Sequence, residues 1–433
     1  MEASVAVNLN KRSGWGSNDA DETALTVRAE KQSDWPSCES QNSSAVHTHV
    51  SKGDNMFRHA CRLSAALATL GYAAILVSSS APLHARATLQ IIAQGLNNPR
   101  GLNFGPEGGL YVAEAGSGGA GPCIINSNNM LVCYGATGSI TRITLGGVPS
   151  QTRVVTGLPS LAGQTGAGAG GSSTGAHDVE FQGRGNGFVT IGAALDPARR
   201  FNDAAHPEFA AVGAQFGRLV RFQPNGKWSF EEDLSAFEAL ANPDGGPLDS
   251  NPYGLLAQSG RQVFTDAGGN SLNAVAANGS ISNLAFFPNR TASGSTFQAV
   301  PTCVVQGPDG QLYVGQLTGF PFLSGQANVY RIPSNGGTPE IYASGFTKII
   351  DIAFGSDGSL YVLQISSTGG PPPQGGTGSL IRVSPDATTR TTIVAPGEGL
   401  VAPGGIAIGG DGSIYVTNFS VSPGTGTVVR IVP

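Results

Sequence analysis

Eight polar or ionisable residues stand at two points of a repeated strand pattern, namely the start of one strand and the end of the next. They are Arg100, Glu114, His177, Asp178, Asp266, Gln316, Gln364 and Asn418. An arginine, a histidine and several carboxylates on one surface could bind a sugar, a quinone cofactor, or a calcium ion held by oxygen ligands. Asx side chains at strand ends also hydrogen-bond turn amides, so each residue has a purely structural interpretation too.

His177 and Asp178 stand out because they interrupt an otherwise apolar segment, GAHDVEF, after the Gly-rich run 162–175. A histidine in this place could act as a general base that removes a hydroxyl proton. A lone histidine is also commonly a packed and hydrogen-bonded residue. The sequence contains no GxSxG elbow, Walker loop or HExxH motif. Asp-Gly pairs at 309–310, 357–358 and 411–412 predict turns, and segment 243–254 lacks the ligand spacing of a calcium loop.

The elements that must position these residues are short runs of β-branched and aromatic residues, which fill the chain after residue 95. Runs of four to six residues bounded by turn residues predict strands. One run recurs six times, as LYVAE, GFVTI, QVFTD, LYVGQ, LYVLQ and IYVTN. The run that follows carries an arginine at one position in five of the six units, which we interpret as an outward-facing residue between buried neighbours.

A further strand follows five of the six units, and the segment 89–95 ahead of the first unit resembles the missing one. Pairing the first strand with the last removes two open sheet edges. The sequence therefore predicts an all-β fold, a six-bladed β-propeller with four antiparallel strands per blade, closed by its N-terminal strand. A right-handed β-helix is the alternative, but its repeats are shorter and would not leave complementary half-units at the two ends.

In a propeller, the loops that lead into the innermost strands and those that leave the second strands lie on the same face. We expect the long insertions to gather there and to mark a binding face, the loop-rich face. These insertions are residues 115–137, 193–216, 318–326, 366–377 and 419–425. The residues at the starts of the innermost strands are Arg100, His177, Asp178, Tyr253, Thr302, Asp351 and Gly404.

Composition and charge limit the classes of function that the protein can have. The 433 residues include 63 glycines and only 12% charged residues, as expected for a turn-rich repeat protein. A net charge of −5 argues against a nucleic-acid partner, which would need a basic surface.

The N-terminal part of the chain divides into two segments. Residues 1–55 are polar and are predicted to be disordered or a mis-assigned extension ahead of Met56. Residues 56–87 have the cationic start, apolar centre and small-x-small end of a signal peptide, with cleavage expected after Ala87. An uncleaved membrane anchor is the alternative, but the apolar centre, 63–77, is shorter than the roughly 20 residues a spanning helix needs. We therefore expect residues 88–433 to be a periplasmic or extracellular propeller without a stable membrane anchor.

Three cysteines remain in the expected mature chain. Cys123 and Cys133 flank a short loop, so a local disulfide is a candidate in an oxidising compartment. Cys303 lies in an apolar strand, TCVV, and is interpreted as a small buried residue. None of the spacings is that of a metal site.

The repeat units resemble a known family. PRGLNFGPEGGLYVAEAG, VVQGPDGQLYVGQLTGFP, DIAFGSDGSLYVLQIS and GGIAIGGDGSIYVTNF are similar to NHL-type propeller repeats. The order of CIINSNNMLVCYGATGSITRI, GAHDVEFQGRGNGFVTIG and NPDGGPLDSNPYGL followed by TDAGGNSL resembles the ScyD/ScyE family of secreted bacterial propellers. The resemblance spans almost all of residues 88–433 and implies a periplasmic or extracellular protein associated, in cyanobacteria, with the scytonemin gene cluster. It brings no defined reaction or catalytic residues, and the N-terminal extension is outside the family pattern.

Two classes of function stay open. The first is a non-catalytic binding or scaffold propeller that holds a small molecule, a glycan or a protein on the loop-rich face, with no cofactor. The second is a secreted six-bladed enzyme, either a sugar dehydrogenase with pyrroloquinoline quinone or a calcium-dependent lactonase. LNNPRGLNFGPEGGLYVAEAG is distantly similar to the opening of the quinone enzymes, with Glu114 in the matching place. The absence of a recognisable catalytic set favours the binding class.

Overall fold

The computed structural model describes residues 86–166, 168–183, 185–370 and 376–432. Six antiparallel sheets form its body, and the innermost strand of each sheet lies beside those of the sheets before and after it, so that the ring is complete. The all-β fold and the six-bladed propeller are therefore confirmed. The expected extension 1–55 and almost all of the expected signal peptide 56–87 lie outside the described residues. No helix within the described ranges is long and apolar enough to cross a membrane.

The strands follow one another through the blades in chain order. The first strand, β1 (Thr88–Leu96), precedes blade 1. Blade 1 contains β2 (Pro99–Phe104), β3 (Leu110–Glu114), β4 (Cys123–Ile125), β5 (Leu131–Thr144) and β6 (Ser150–Ala162). Blade 2 contains β7 (Ala176–Gln182), β8 (Asn186–Ile191), β9 (Arg218–Phe222) and β10 (Trp228–Asp233). Blade 3 contains β11 (Pro252–Gln258), β12 (Arg261–Asp266), β13 (Ser271–Ala276) and β14 (Ile281–Phe286).

The remaining blades repeat the arrangement. A small hairpin, β15 (Arg290–Ala292) with β16 (Ser295–Phe297), links blades 3 and 4. Blade 4 contains β17 (Pro301–Gln306), β18 (Leu312–Gln316), β19 (Ala327–Ile332) and β20 (Glu340–Phe346). Blade 5 contains β21 (Ile349–Phe354), β22 (Leu360–Gln364), β23 (Ser379–Val383) and β24 (Arg390–Val394). Blade 6 contains β25 (Gly405–Ile408), β26 (Ile414–Asn418) and β27 (Gly426–Val432).

The predicted closure of the ring is present. Strand β1 pairs antiparallel with β27 and so supplies the outermost strand of blade 6, with Thr88 opposite Val432 and Leu96 opposite Gly426. Leu96 is fully buried in the cluster between blades 6 and 1. Burial of a leucine of this kind stabilises a fold by about 1.5–3 kcal/mol.

The innermost strands share an irregularity that positions the candidate site. In each of blades 1 to 5, the register against the second strand shifts just after the first residue of the innermost strand. A β-bulge bends a strand and re-aims the side chains at that point. The residues at these bulges are Arg100, His177, Tyr253, Thr302 and Ile350.

The insertions on the loop-rich face have structure of their own. Insertion 115–137 contains β4 and the first part of β5, and a disulfide joins Cys123 to Cys133 across this hairpin. The insertion after blade 2 strand β8 holds two 3₁₀ helices, Pro197–Arg200 and Pro207–Phe209, and a helical turn α1 (Ala210–Gly213). Helix α2 (Leu234–Ala241) follows β10.

The recurring arginine has a defined role on the opposite face. In blades 1, 4 and 5 it pairs with the carboxylate in the turn between the first and second strands, as Arg142 does with Glu107 at 2.8 Å. The arginine side chains are half-exposed, in agreement with the predicted outward-facing position between buried neighbours. The ion pair is an additional contact that the sequence pattern did not indicate.

Candidate functional site

Polar side chains at the ends of the second strands brace the loops that lead into the innermost strands. Glu114 accepts a hydrogen bond from the backbone N–H of Asn97, Asp266 from Asn251 and Asn418 from Val401, each at 2.7 Å. Gln364 accepts from the N–H of Thr347 at 2.5 Å in the same way. In each case the donor lies just before the innermost strand of the same blade. We call this contact the strand-end brace.

Glu114 shows why a side chain in the strand-end brace has few free acceptor positions for a ligand. Its carboxylate is fully buried and also accepts from the hydroxyls of Ser139 and Thr141 and from the guanidinium of Arg153, whose Nη2 lies 2.8 Å from Oε2. Asp266 likewise accepts from the Ser250 hydroxyl and from two further backbone N–H groups. Carboxylates with this many donors have their acceptor positions filled by the protein.

Gln316 departs from the brace. Its Oε1 accepts from the N–H of Asn328 and the hydroxyl of Tyr330, both at 3.3 Å, and from Arg290 of the β15–β16 hairpin. Its side chain therefore ties the third strand of blade 4 to the preceding hairpin. All five strand-end residues are at least 95% buried and stand one strand outward from the channel.

Three of the bulge residues, Arg100, His177 and Tyr253, behave differently, because they meet at the mouth of the central channel. The rings of His177 and Tyr253 lie 4.4 Å apart between centroids, with an angle of 31° between their planes. Tyr253 extends to an apolar cluster of blades 4 to 6 that includes Ile350 and Val421. The guanidinium of Arg100 stands beside the Tyr253 hydroxyl and opposes the rise in the Tyr253 pKa that burial causes.

Arg100 is the exceptional member of this cluster. Its side chain is 7% exposed, its Nη2 donates to the carbonyl of Ser173 at 2.9 Å, and its buried Nε has no hydrogen-bond partner among the described residues. No carboxylate oxygen of the described residues lies within 4.0 Å of it. A buried guanidinium is normally paired with an anion, because desolvating an unpaired charge is costly.

His177 is neutral in this environment. Burial, with the positive charge of Arg100 in second place, lowers its pKa to about 3. Its Nδ1 lies 3.0 Å from the carbonyl oxygen of Pro252, so Nδ1 carries the proton and Nε2 keeps the lone pair. A general base works best with a pKa near the operating pH, and this imidazole is too weakly basic for that role.

Two aspartates lie deeper in the channel wall. Asp178 accepts from the N–H of Val179 and, in the next blade, from that of Leu255, both at 2.8 Å. Burial first, and the charge of Asp351 second, raise the pKa of Asp178. The carboxylate needs room, and Gly101 provides it, because a Cβ at that position would lie 2.0 Å from Asp178 Oδ1.

Asp351 repeats this arrangement in blade 5, where it accepts from Ile352 and from Ile406 of blade 6. Burial raises its pKa to about 7. Glu180 lies two residues after Asp178 on the same strand, β7, and accepts a hydrogen bond from the side chain of Asn103. Burial raises the pKa of Glu180 to about 8.

Of the eight residues singled out from the sequence, the structure therefore brings Arg100, His177 and Asp178 together at the channel. The other five are separated from one another at the strand ends of their blades. Tyr253 and Asp351, which the sequence pattern also placed at the starts of innermost strands, complete the channel cluster. Ser173 contributes only a backbone carbonyl, for which a sequence carries no signal.

The residues do not fit a calcium site. The described part of the chain contains no group of three or more His, Cys, Asp or Glu side chains placed to hold a metal ion. Asp178 and Asp351 already use their oxygens to accept backbone N–H groups, whereas calcium needs six to eight oxygen ligands.

The comparisons with known proteins concern the fold alone. No family model matches the chain, and no curated protein matches it. Solved structures with a similar chain path include a streptogramin B lyase, with 14% identity over 80% of this chain and 97% of that chain and a TM-score of 0.43. A glucose dehydrogenase has 11% identity over 80% of this chain and 99% of that chain, with a TM-score of 0.45. The nidogen/laminin complex has 12% identity over 66% and 84%, with a TM-score of 0.40.

Proposed function

We propose that this protein is a secreted binding propeller of the ScyD/ScyE type that holds an anionic small molecule at the channel mouth of its loop-rich face. Arg100 is the anchor in this proposal. The single observation that carries it is a guanidinium that is 93% buried without a carboxylate partner among the described residues. A ligand carboxylate or similar anion would supply the missing counter-charge and accept charge-assisted hydrogen bonds.

A second buried arginine of the same chain shows what a satisfied guanidinium looks like. Arg200 is 1% exposed, and it donates to Asp233 Oδ1 at 2.9 Å and to the carbonyls of Pro197 and Phe216. Its charge is neutralised and its donors are used within the protein. Arg100 has no carboxylate partner among the described residues, and its buried Nε has no hydrogen-bond partner there, which sets it apart as a candidate binding residue.

The binding class is favoured over an enzyme. His177, the sequence's candidate base, has a pKa of about 3 and shares its Nδ1 proton with a backbone carbonyl. Glu114, which matches the opening of the quinone enzymes, is buried and ion-paired with Arg153. Neither residue is therefore free to act on a substrate held by calcium or pyrroloquinoline quinone.

The proposed binding propeller acts outside the cytoplasm and has a partner other than nucleic acid. A net charge of −5 supports a partner other than nucleic acid. A glycan or a protein bound at the same loop-rich face would also make this protein a member of the binding class. A signal peptide at 56–87 and cleavage after Ala87 would deliver the propeller to the periplasm or the medium without a membrane anchor.

Thermal melting of residues 88–433 tests the anchor. The probes are sodium gluconate, glucose as its uncharged counterpart, and pyrroloquinoline quinone with and without calcium, all at one ionic strength. A ligand at a hundred times its Kd adds about 2.7 kcal/mol to the free energy of unfolding. We expect the anions to raise Tm and glucose to leave it unchanged.

The variant Arg100→Met supplies the control. Removing an unpaired buried charge should leave the ligand-free protein as stable as before or more stable, and should abolish the anion shift. Arg200→Met should instead lower stability by about 1–3 kcal/mol, because it removes a buried donor to Asp233 and leaves that carboxylate with Arg218, at 3.8 Å, as its remaining cation. No Tm shift with either anion, or a shift that survives in Arg100→Met, contradicts the proposal. A quinone shift that calcium enlarges, together with quinone reduction when a sugar is added, would replace it with the dehydrogenase alternative.

A further inference from the structure

A carboxylate, a tyrosine and an arginine recur together on the face opposite the loop-rich one. The carboxylate lies in the turn between the first and second strands, the tyrosine on the second strand and the arginine on the third. We call each set a turn triad. The turn triads are Glu107–Tyr111–Arg142, Asp309–Tyr313–Arg331, Asp357–Tyr361–Arg382 and Asp411–Tyr415–Arg430.

In three blades the arginine and the carboxylate of the turn triad form a direct ion pair, and we call such a turn triad closed. In blade 1 the Tyr111 hydroxyl donates to Glu107 Oε1 at 2.6 Å, and Arg142 Nε lies 2.8 Å from the same oxygen. In blade 4, Asp309 Oδ2 accepts from Arg331 Nε at 2.8 Å and from the Tyr313 hydroxyl at 3.2 Å. In blade 5 the arginine and the aspartate form an ion pair.

In blade 6 the same three residue types are present and the turn triad is open. Arg430 Nη2 donates to the hydroxyl of Ser413 at 2.8 Å, and that hydroxyl donates to Asp411 Oδ2 at 2.9 Å, so a serine separates the two charges. Within the described ranges, Arg430 forms no direct ion pair and the Tyr415 hydroxyl has no hydrogen-bond partner.

The open turn triad borders a cavity of about 410 Å³ between blades 6 and 1. Its lining includes Phe104, Leu145, Asp411, Tyr415 and Arg430, with backbone of three glycines. The packing around the tyrosine explains the space. Tyr111 in blade 1 packs against both Phe181 and Phe222 of the next blade, with centroids 4.6 and 6.4 Å apart, whereas the ring contact of Tyr415 is with Phe104 at 5.7 Å.

We propose that this cavity is a carbohydrate subsite that takes one sugar ring of a glycan. Adjacent hydroxyls of a sugar are both donors and acceptors, so one can donate to the Asp411 carboxylate while its neighbour accepts from Arg430 and the Tyr415 hydroxyl. The apolar face of the ring then lies against Phe104 and Leu145. The volume falls in the range of small-molecule sites.

The charges of the cavity favour a neutral ligand. Asp411 and Arg430 carry opposite charges close together, so an anion would lose to the aspartate what it gains from the arginine, and a cation the reverse. Hydrogen bonds from Ser413 to the carboxylate lower the pKa of Asp411, which keeps it an acceptor at neutral pH. This subsite is independent of the Arg100 anchor, since the two lie on opposite faces.

Saturation-transfer NMR on residues 88–433 tests the subsite. The probes are the methyl glycosides of glucose, galactose, mannose and N-acetylglucosamine, followed by titration of whichever binds. We expect Tyr415→Phe and Arg430→Gln each to weaken binding by about tenfold, because each removes a hydrogen bond to the sugar. Both substitutions keep the packing of the blade.

The matched controls lie in blade 5, where the turn triad is closed. Tyr361→Phe and Arg382→Gln change the same residue types and should leave binding unchanged, and Arg100→Met should also leave it unchanged. The absence of binding by all four glycosides overturns the proposal. Equal weakening by the blade 5 and blade 6 variants, or none by the blade 6 variants, places the sugar elsewhere and also overturns it.

Discussion

Asp178 and Asp351 occupy the same position of the innermost strand in blades 2 and 5, and each carboxylate joins its own strand to that of the following blade through two backbone N–H groups. The two charges influence each other across the channel, and this contributes to the raised pKa of Asp178. The interior of the ring therefore holds carboxyls that are used as connectors between blades and that resist ionisation.

The first prediction concerns pH. The folded-state pKa values of Asp351 and Glu180 are raised to about 7 and about 8, whereas in the unfolded chain these groups titrate near 4. Between about pH 4 and pH 8, the folded protein therefore binds more protons than the unfolded chain does. The free energy of unfolding should fall as pH rises from about 4 to about 8, by at most about 1.4 kcal/mol per pH unit for each group. Urea unfolding from pH 4.5 to 8.5 measures this slope.

Asp351→Asn isolates one contribution to that slope. The amide cannot accept from both Ile352 and Ile406, so the variant should be less stable than the parent by about 1–3 kcal/mol at pH 5. The difference should shrink toward pH 8, where the parent bears the cost of ionising Asp351. Asp357→Asn is the control, because that exposed carboxylate has a lowered pKa and no such shrinkage should occur. A constant difference for Asp351→Asn across the range would contradict the raised pKa.

The second prediction separates structure from binding at the strand ends. Glu114→Ala removes a fully buried carboxylate and leaves Arg153 and the Asn97 N–H without their partner. We expect a loss of about 2–4 kcal/mol in the free energy of unfolding. Glu107→Ala, at an exposed ion pair, should cost less than about 1 kcal/mol. An unchanged stability for Glu114→Ala together with lost ligand binding would instead assign this residue to the site.

The third prediction concerns the disulfide. Cys123 and Cys133 close a loop with a sequence separation of 10 inside an insertion of blade 1. Replacing both with serine should cost about 2–3 kcal/mol on chain-entropy grounds. Hydrogen exchange should accelerate in β4 and the first part of β5, with the other blades unaffected. Cys303→Ser, which leaves the disulfide intact, is the control; faster exchange throughout the ring in the double variant would show that the disulfide supports more than its own hairpin.

The fourth prediction concerns His177. Its ring packs on Tyr253 and shares a proton with the Pro252 carbonyl, so His177→Ala should lower stability by about 1–3 kcal/mol. The Tm shift caused by an anionic ligand should persist, because Arg100 supplies the counter-charge. Any measurable turnover in the parent that His177→Ala abolishes would show that the imidazole acts as a base despite its lowered pKa.

The sequence was sufficient for the architecture because each blade repeats the same run of strands, and the complementary half-units at 89–95 and after residue 418 indicated closure. It was less informative about the polar residues. A strand pattern shows that Glu114 and Asn418 end a strand, but it does not show that an N–H of the preceding loop lacks a partner and will be satisfied by that side chain. The bulges that turn Arg100 and Tyr253 toward the channel are also invisible in the pattern, because a bulge is a property of pairing between two strands.

The pairing of β1 with β27 sets the order of events during folding. Synthesis produces β1 first and β27 last, so β1 must wait, unpaired, while all the strands between them are made. Contacts between residues so distant in the chain form slowly, because a long loop has to close before they stabilise the fold. A nascent chain therefore cannot complete the ring before β27 has been made, so the sheet of blade 6 is the last to gain its outermost strand.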